Sequence, residues 1–260
     1  MPTTTPPLSD AAAATVSTIT PAVIELRQYT LHAGCRDTLI ELFERAFIEP
    51  QEAAGMRVLG TFRDLDDADR FVWLRGFVDM PSRAAALGAF YGGPAWQRHR
   101  DVANATMADS DNVLLLRPAG GVRGLLEAAS TRAAPTIDDD PASPAAIFTL
   151  TLCPLREPAT DAVLTAFDRL VRHAWNDGGG DLLACFVTEG AVNDFPRLPV
   201  REGEPHVAWL TRFADAAAQR RHAAWLESSG CLRQPAWRDL LGADAQQLRL
   251  APTRRSALRG

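Results

Sequence analysis

The stretch VIELRQYTLHAG, residues 23–34, decides the fold. It reads as one strand running into the start of a helix. Side chains alternate along a strand, so Ile24, Leu26, Gln28 and Thr30 share one face, and Val23, Glu25, Arg27, Tyr29 and Leu31 share the other. Hydrogen-bonding side chains gathered on one strand face, here Glu25, Arg27 and Tyr29, are either water-exposed or collected around something buried.

Working outward, Gly34 can cap a helix, and Asp37 sits where a carboxylate favours a helix N-terminus. Leu39, Leu42, Phe43, Ala46 and Phe47 then recur at helical spacing, and Pro50 is expected to end that helix near Glu49. Strands follow over 56–62 and 71–77, joined by an acidic turn over 64–69. Pro81 opens a helix over Ala84, Leu87 and Phe90. Gly92 and Gly93 break it, Pro94 begins another, and 112–117 is a further strand. The order is β-α-β-β-α-β.

The pattern then recurs. A strand over 146–152 precedes a helical stripe of Val163, Phe167, Leu170, Val171 and Ala174, stopped by Gly178, Gly179 and Gly180. Strands over 182–188 and 207–213, a helix and a closing strand over 247–250 complete it. VAWLTRFAD echoes FVWLRGFVD, so that Trp209 answers Trp73, Phe213 answers Phe77 and Asp215 answers Asp79; Pro235-Ala236-Trp237 answers Pro94-Ala95-Trp96. The expected fold is α+β: tandem ferredoxin-like βαββαβ repeats, each an antiparallel sheet with helices on one face, packed sheet to sheet as a pseudo-twofold barrel within one chain. The parts are a disordered tail over 1–21, a first repeat over 22–118, a linker over 119–144 in which Leu125 and Leu126 dock locally, a second repeat over 145–252 and a tail over 253–260.

Composition narrows the function. With 47% apolar and 23% charged residues the chain is an ordinary globular protein, and a net charge of −5 without a basic block argues against nucleic acid. Cys35, Cys153, Cys185 and Cys231 have no paired spacing, which disfavours a zinc site or a disulfide framework and fits a cytoplasmic location. No apolar run is long enough for a membrane span, and the N-terminal stretch is a poor signal peptide.

IELRQYTLHAG, the hairpin FRDLDDADRFVWLRGF, YGGPAW with HRDVANATMADSDNVLLLRP, and NDFPRLPVREGE together resemble the NIPSNAP family, part of the wider dimeric α/β-barrel superfamily. The resemblance is strong over 23–118 and looser over 146–252. It implies the ferredoxin-like duplication already reached from periodicity, and it implies no established reaction. Animal members are linked to vesicles and mitochondria, and the superfamily includes haem enzymes, cofactor-free monooxygenases and degradative enzymes of small molecules.

In the strand over 71–77, Val72, Leu74 and Gly76 form one face, and Phe71, Trp73, Arg75 and Phe77 form the other. The aliphatic faces, with Ile24 and Leu26, suit helix packing, and Gly76 would allow a helix close approach. Glu25, Arg27, Tyr29 and Arg75 are then expected inside the barrel, with Arg75 meeting Glu25 or Tyr29. Such a cluster is either a structural ion-pair network or the lining of an inter-sheet pocket walled by Trp73, Phe77 and Trp209. In the second case Tyr29 or Glu25 transfers protons while Arg27 or Arg75 holds an anionic or enolate oxygen, so these four are the candidate catalytic residues. The second repeat answers Glu25, Arg27 and Tyr29 with Thr149, Thr151 and Cys153, which favours a single site in the first half.

The insertion over 193–205 reads as a lid, a contact arm or a rigid surface loop; its Arg197 and Arg201 join Trp73, Phe77 and Trp209 as candidate ligand-binding residues. The histidines, His32, His99, His173, His206 and His222, lack metal-ligand spacing, with haem ligation by His173 the outlying alternative. No phosphate-binding, dinucleotide or nucleophile-elbow motif is present. The expected function is binding or transforming a small molecule in the inter-sheet cavity, as a binder or a cofactor-independent enzyme with no metal. The alternative is a non-enzymatic interaction or trafficking-type protein with a filled barrel. Expected partners are a small-molecule ligand and a second copy in a homo-oligomer.

Overall fold

The computed structural model describes residues 19–129, 132, 146–172, 175 and 177–260. Residues 1–18 of the tail expected over 1–21, most of the linker from 130 to 145, and His173 lie outside the described residues, whereas Pro21 of that tail is buried. The first repeat contains β1 (Val23–Leu31), α1 (Arg36–Ala46), α2 (Ile48–Ala53), β2 (Arg57–Asp64), β3 (Arg70–Phe77), α3 (Met80–Gly92), α4 (Pro94–Thr106), the short β4 (Met107–Asp109) and β5 (Val113–Ala119). A helix α5 (Arg123–Ala128) follows. The second repeat contains β6 (Ile147–Pro154), α6 (Asp161–Phe167), β7 (Asp181–Thr188), β8 (His206–Phe213), α7 (Ala216–Ser229), α8 (Pro235–Arg238) and β9 (Gln246–Pro252).

One boundary differs from expectation. Pro50 does not end α1; it sits in the first turn of α2, where its missing N–H is not needed. That extra helix carries Gln51 into the core of the first repeat.

The strand orders β2-β3-β1-β5 and β9-β6-β8-β7 are the same topology twice, antiparallel throughout. Phe62 of β2 pairs with Pro252 of β9, and Leu116 of β5 pairs with Thr188 of β7. These two seams join the sheets into a closed barrel, which removes the free sheet edges that invite aggregation. The duplication extends to irregular features. β2 bulges between Val58 and Gly60, and β7 bulges between Leu182 and Ala184, each against the same part of its neighbour. α3 and α7 both start at an aspartate, Asp79 and Asp215, whose carboxylate accepts from the backbone N–H three residues on, at 2.7 Å in each case.

The barrel is filled. Ile24, Leu26, Val72 and Leu74 of the first repeat meet Phe148, Leu150, Ala208 and Leu210 of the second in one buried cluster, with Phe62 and Phe148 ring to ring at 5.2 Å. This reverses the faces expected from sequence: the aliphatic face points inward, and Glu25, Arg27, Tyr29, Trp73, Arg75 and Phe77 point at the helices. The reason is that the interior of so small a barrel is a narrow space shared by all the strands, with room for side chains and no partner for a charge. Gly76 likewise does not receive a helix. A Cβ there would lie 2.5 Å from Pro21, so the glycine admits the segment that precedes β1.

The residues after β9, expected as a tail, close one end of the barrel. Thr61 Oγ1 and Thr253 Oγ1 are 2.6 Å apart, and Thr253 Oγ1 donates to Glu44 at 2.6 Å. Leu258 is completely buried in the barrel cluster together with Val122 and Leu125, so α5 docks as expected. Leu258→Ala should therefore cost about 2 to 3 kcal/mol in a urea titration, as for a buried leucine; a change below about 0.5 kcal/mol would contradict the plug.

Candidate functional site

Register brings the site together. Across β1 and β3, Glu25 stands opposite Arg75, Arg27 opposite Trp73 and Tyr29 opposite Phe71. All lie between the sheet and α1 to α4, and Glu25, Arg75 and Arg83 are 0% exposed. Glu25 is the hub. Its Oε2 accepts from Arg27 Nη1 at 2.8 Å and Arg75 Nε at 2.8 Å, and its Oε1 accepts from Arg83 Nε at 2.7 Å. Arg75 Nη2 also lies 2.7 Å from Glu25 Oε2 but is out of line for a hydrogen bond, the Nε taking that role. Arg75 Nη1 donates to Gln51 Oε1 at 3.0 Å.

Burial alone would raise the Glu25 pKa. Arg75, Arg27 and Arg83 outweigh it and hold the carboxyl far below the usual carboxylate range. Three guanidinium groups face two carboxylates, Glu25 and Asp194, leaving one positive charge over. Aromatic faces take up part of it: Arg75 Cζ lies 5.0 Å from the Trp73 ring centroid, and Arg27 Cζ lies 5.3 Å from that of Tyr29.

In front of this network lies a cavity of about 30 Å³, lined by Tyr29, Phe43, Gln51, Trp73, Tyr91 and Trp96 among others. It has room for about one water. Trp73 Nε1 and Gln51 Nε2 are buried donors without a partner. Tyr29 Oη accepts from Arg27 Nε at 2.8 Å, which leaves its own proton to give. Burial pushes the Tyr29 phenol above its usual range against the pull of Arg27, so it is neutral at physiological pH. The cavity therefore has apolar walls and a set of donors without matching acceptors.

The insertion of the second repeat covers this site. Asp194 Oδ1 accepts from Arg83 Nη1 at 2.6 Å, Phe195 stacks on Tyr91 with centroids 6.3 Å apart, and Leu198 packs on the same apolar cluster. In the second repeat the equivalent space holds no such network among the described residues. The same register places Thr149 opposite Thr211 and Thr151 opposite Trp209, and Gln219 sits where α3 has Arg83, four residues after the capping aspartate. Trp175 and Trp237 fill it, both completely buried. Burial pushes the Cys153 and Cys185 thiols up to about 12, so neither is a thiolate nucleophile.

Glu25, Arg27, Tyr29 and Arg75 are thus brought together as expected, on the helix side instead of inside the barrel. Trp73 and Phe77 lie with them. Trp209 does not: it belongs to the helix-side cluster of the second repeat. Arg197 is exposed, its Cζ 5.5 Å from the Phe195 ring centroid. Arg201 anchors the insertion, with Nη1 on Asn112 Oδ1 at 3.2 Å, and lines a separate groove of about 470 Å³ beside Glu204 and Pro205. Sequence reasoning missed Arg83, Gln51 and Asp194. A signal for Arg83 existed, because it falls in line with Ala86, Leu87 and Phe90 on the buried stripe of α3. Among the described residues no group of metal-type side chains clusters, and no helix is long and apolar enough to cross a membrane.

A barrel closed from two ferredoxin-like repeats, with helices outside and the polar cluster between sheet and helices, places the protein in the dimeric α/β-barrel class. Solved structures of that fold match nearly the whole chain. A candidate monooxygenase from Fusobacterium nucleatum is 10% identical with a TM-score of 0.54, covering 90% of this chain and 93% of that one. An anthrone oxidase-like protein is 12% identical with a TM-score of 0.51, covering 93% and 95%. At such identities the likeness shows the fold alone. More particularly, residues 24–119, which make up most of the first repeat, match the NIPSNAP family model. A NIPSNAP-like domain protein from Burkholderia xenovorans is 25% identical over 38% of this chain and 85% of that one, with a TM-score of 0.35. No curated protein matches the chain.

Proposed function

We propose that the first repeat binds a small organic molecule between its sheet and its helices. The carrying observation is the cavity beside Trp73, where buried N–H donors lack acceptors inside an aromatic enclosure. Buried polar groups left unpaired are rare in folded proteins, and a ligand with an acceptor oxygen would satisfy these. At about 30 Å³ the pocket is in a closed form. Trp96, Phe195 and Leu198 pack over it while only half-buried themselves, so they are the groups that move to admit a ligand. Of the candidate catalytic residues, Tyr29 alone reaches the cavity and keeps the role of proton donor. Glu25, held ionised by three arginines, acts as the hub that orders them and not as a base. Arg27 and Arg75 stand behind the cavity wall.

The reading is tested with Trp73→Phe, which keeps most of the ring and removes the N–H. Titrating the full chain with 2-phenylethanol, an apolar molecule with one acceptor oxygen, should show binding that weakens by about five- to tenfold in the variant, the worth of one hydrogen bond. Equal affinities in the two proteins would remove Trp73 from the site.

A second reading rests on a different observation. The inter-sheet space is packed with aliphatic side chains, as an interaction protein with a filled barrel would have it. In that reading the orphan donors hold only ordered water and the titration is flat.

A further inference from the structure

The insertion of the second repeat carries a carboxylate and an aromatic ring on adjacent residues, and each occupies a place in the first repeat. Asp194 sits on Arg83, and Phe195 lies within 28° of parallel over Tyr91. Arg83 is completely buried, with Nε committed to Glu25 and Nη2 without a hydrogen-bond partner. The Asp194 side chain is 27% exposed, at the outer rim of the network. The loop is otherwise bonded mostly to itself and at its far end. Asn193 N donates to Glu202 Oε1 at 3.0 Å, Asn193 Nδ2 donates to Leu198 O at 3.0 Å, and Arg201 N donates to Val113 O at 2.8 Å. Apart from the weaker contact of Arg83 with Asn193 Oδ1 at 3.1 Å, the polar grip of the loop tip on the site is the Asp194–Arg83 pair.

We propose that Asp194 and Phe195 are a built-in stand-in for the ligand, and that the ligand is an aromatic carboxylate. This rests on the small-molecule reading of the first repeat and names its substrate class. The incoming carboxylate replaces Asp194 on Arg83 Nη1 and also takes the unpartnered Nη2, since a guanidinium edge holds a carboxylate through two parallel N–H groups. Its ring takes the place of Phe195 over Tyr91. Charge drives the exchange and makes it selective. The network has one positive charge in excess with Asp194 in place, and a second appears when Asp194 leaves. A carboxylate restores the balance, whereas a neutral ligand would leave that charge uncompensated and so binds beside Trp73 with Asp194 still on Arg83. The latched population lowers the apparent affinity of a ligand that must displace Asp194, in proportion to the fraction of protein in which Asp194 is off Arg83, so weakening that pair must tighten carboxylate binding.

The experiment titrates the full chain and Asp194→Asn with phenylacetate and with 2-phenylethanol by calorimetry. Asparagine keeps the shape and removes the charge. The expected result is phenylacetate bound about tenfold or more tighter by the variant, with the affinity for 2-phenylethanol changed less than about threefold. Phe195→Ala, which frees Tyr91 without altering charge, should tighten both probes and serves if Asp194→Asn does not fold. Phenylacetate bound equally or more weakly by both variants would overturn the stand-in. Binding of 2-phenylethanol with rejection of phenylacetate would overturn the anionic class while leaving the small-molecule site intact. No binding of either probe to any of the proteins would overturn the site itself and this inference with it.

Discussion

Glu25→Gln is expected to lower the unfolding free energy by about 3 to 5 kcal/mol. Glu25 is completely buried and is the carboxylate that Arg27, Arg75 and Arg83 share. Without it the three guanidinium groups face only the partly exposed Asp194. Arg75→Met should be milder, about 1 to 2 kcal/mol, because Glu25 keeps two arginines and the losses are one of its three bonds and the bond to Gln51. Combining the two should recover part of the Glu25→Gln loss, since the double variant buries one fewer unpaired charge.

The same hub predicts an acid response. The Glu25 carboxyl titrates far lower in the folded protein than in the unfolded chain, where a glutamate titrates near about 4.3. Its stabilisation is complete above that unfolded value and is lost as the pH falls below it towards the folded one. Between about pH 5 and pH 2 the wild type should therefore lose more stability than Glu25→Gln. Urea titrations over a pH series measure both effects. A Glu25→Gln loss under about 1 kcal/mol at neutral pH, or equal acid slopes for the two proteins, would mean that the network contributes no net stability.

The second large effect is expected for Trp73→Ala, about 3 to 5 kcal/mol by denaturant melt. Trp73 is 2% exposed and packs edge-on against Phe43 at 4.7 Å and Tyr29 at 5.9 Å. Its ring also faces the guanidinium groups of Arg27 and Arg75, which lose that face with it. The space is held open by the sheet on one side and Phe43 of α1 on the other, and a cavity already adjoins it. A loss below about 1 kcal/mol would show that the neighbouring helices relax into the gap, and the site would then be softer than its packing implies.

The elements and their duplication were legible in the sequence because they rest on local signals. The alternation in VIELRQYTL, the two glycines before Pro94 and the echo of FVWLRGFVD in VAWLTRFAD each depend on a few consecutive residues, and the strands and most helices lie where those signals put them. Alternation also placed Glu25, Arg27 and Tyr29 on one side together and brought Arg75 to Glu25 or Tyr29; the register chose Glu25. It could not say which side faces the barrel. A strand has two faces by geometry, and the choice between them depends on what each face meets. Closure through the seams of β2 with β9 and β5 with β7 made the inner face narrow and dry, so the aliphatic side chains took it and the charges took the helix side. Arg83 and Asp194 were illegible as partners for a similar reason. They lie 58 and 169 positions beyond Glu25 in the chain, and one comes from each repeat. Only the folding of one repeat's loop over the other's helices brings those charges within hydrogen-bond reach, where a buried carboxylate and its arginines must find each other or destabilise the fold.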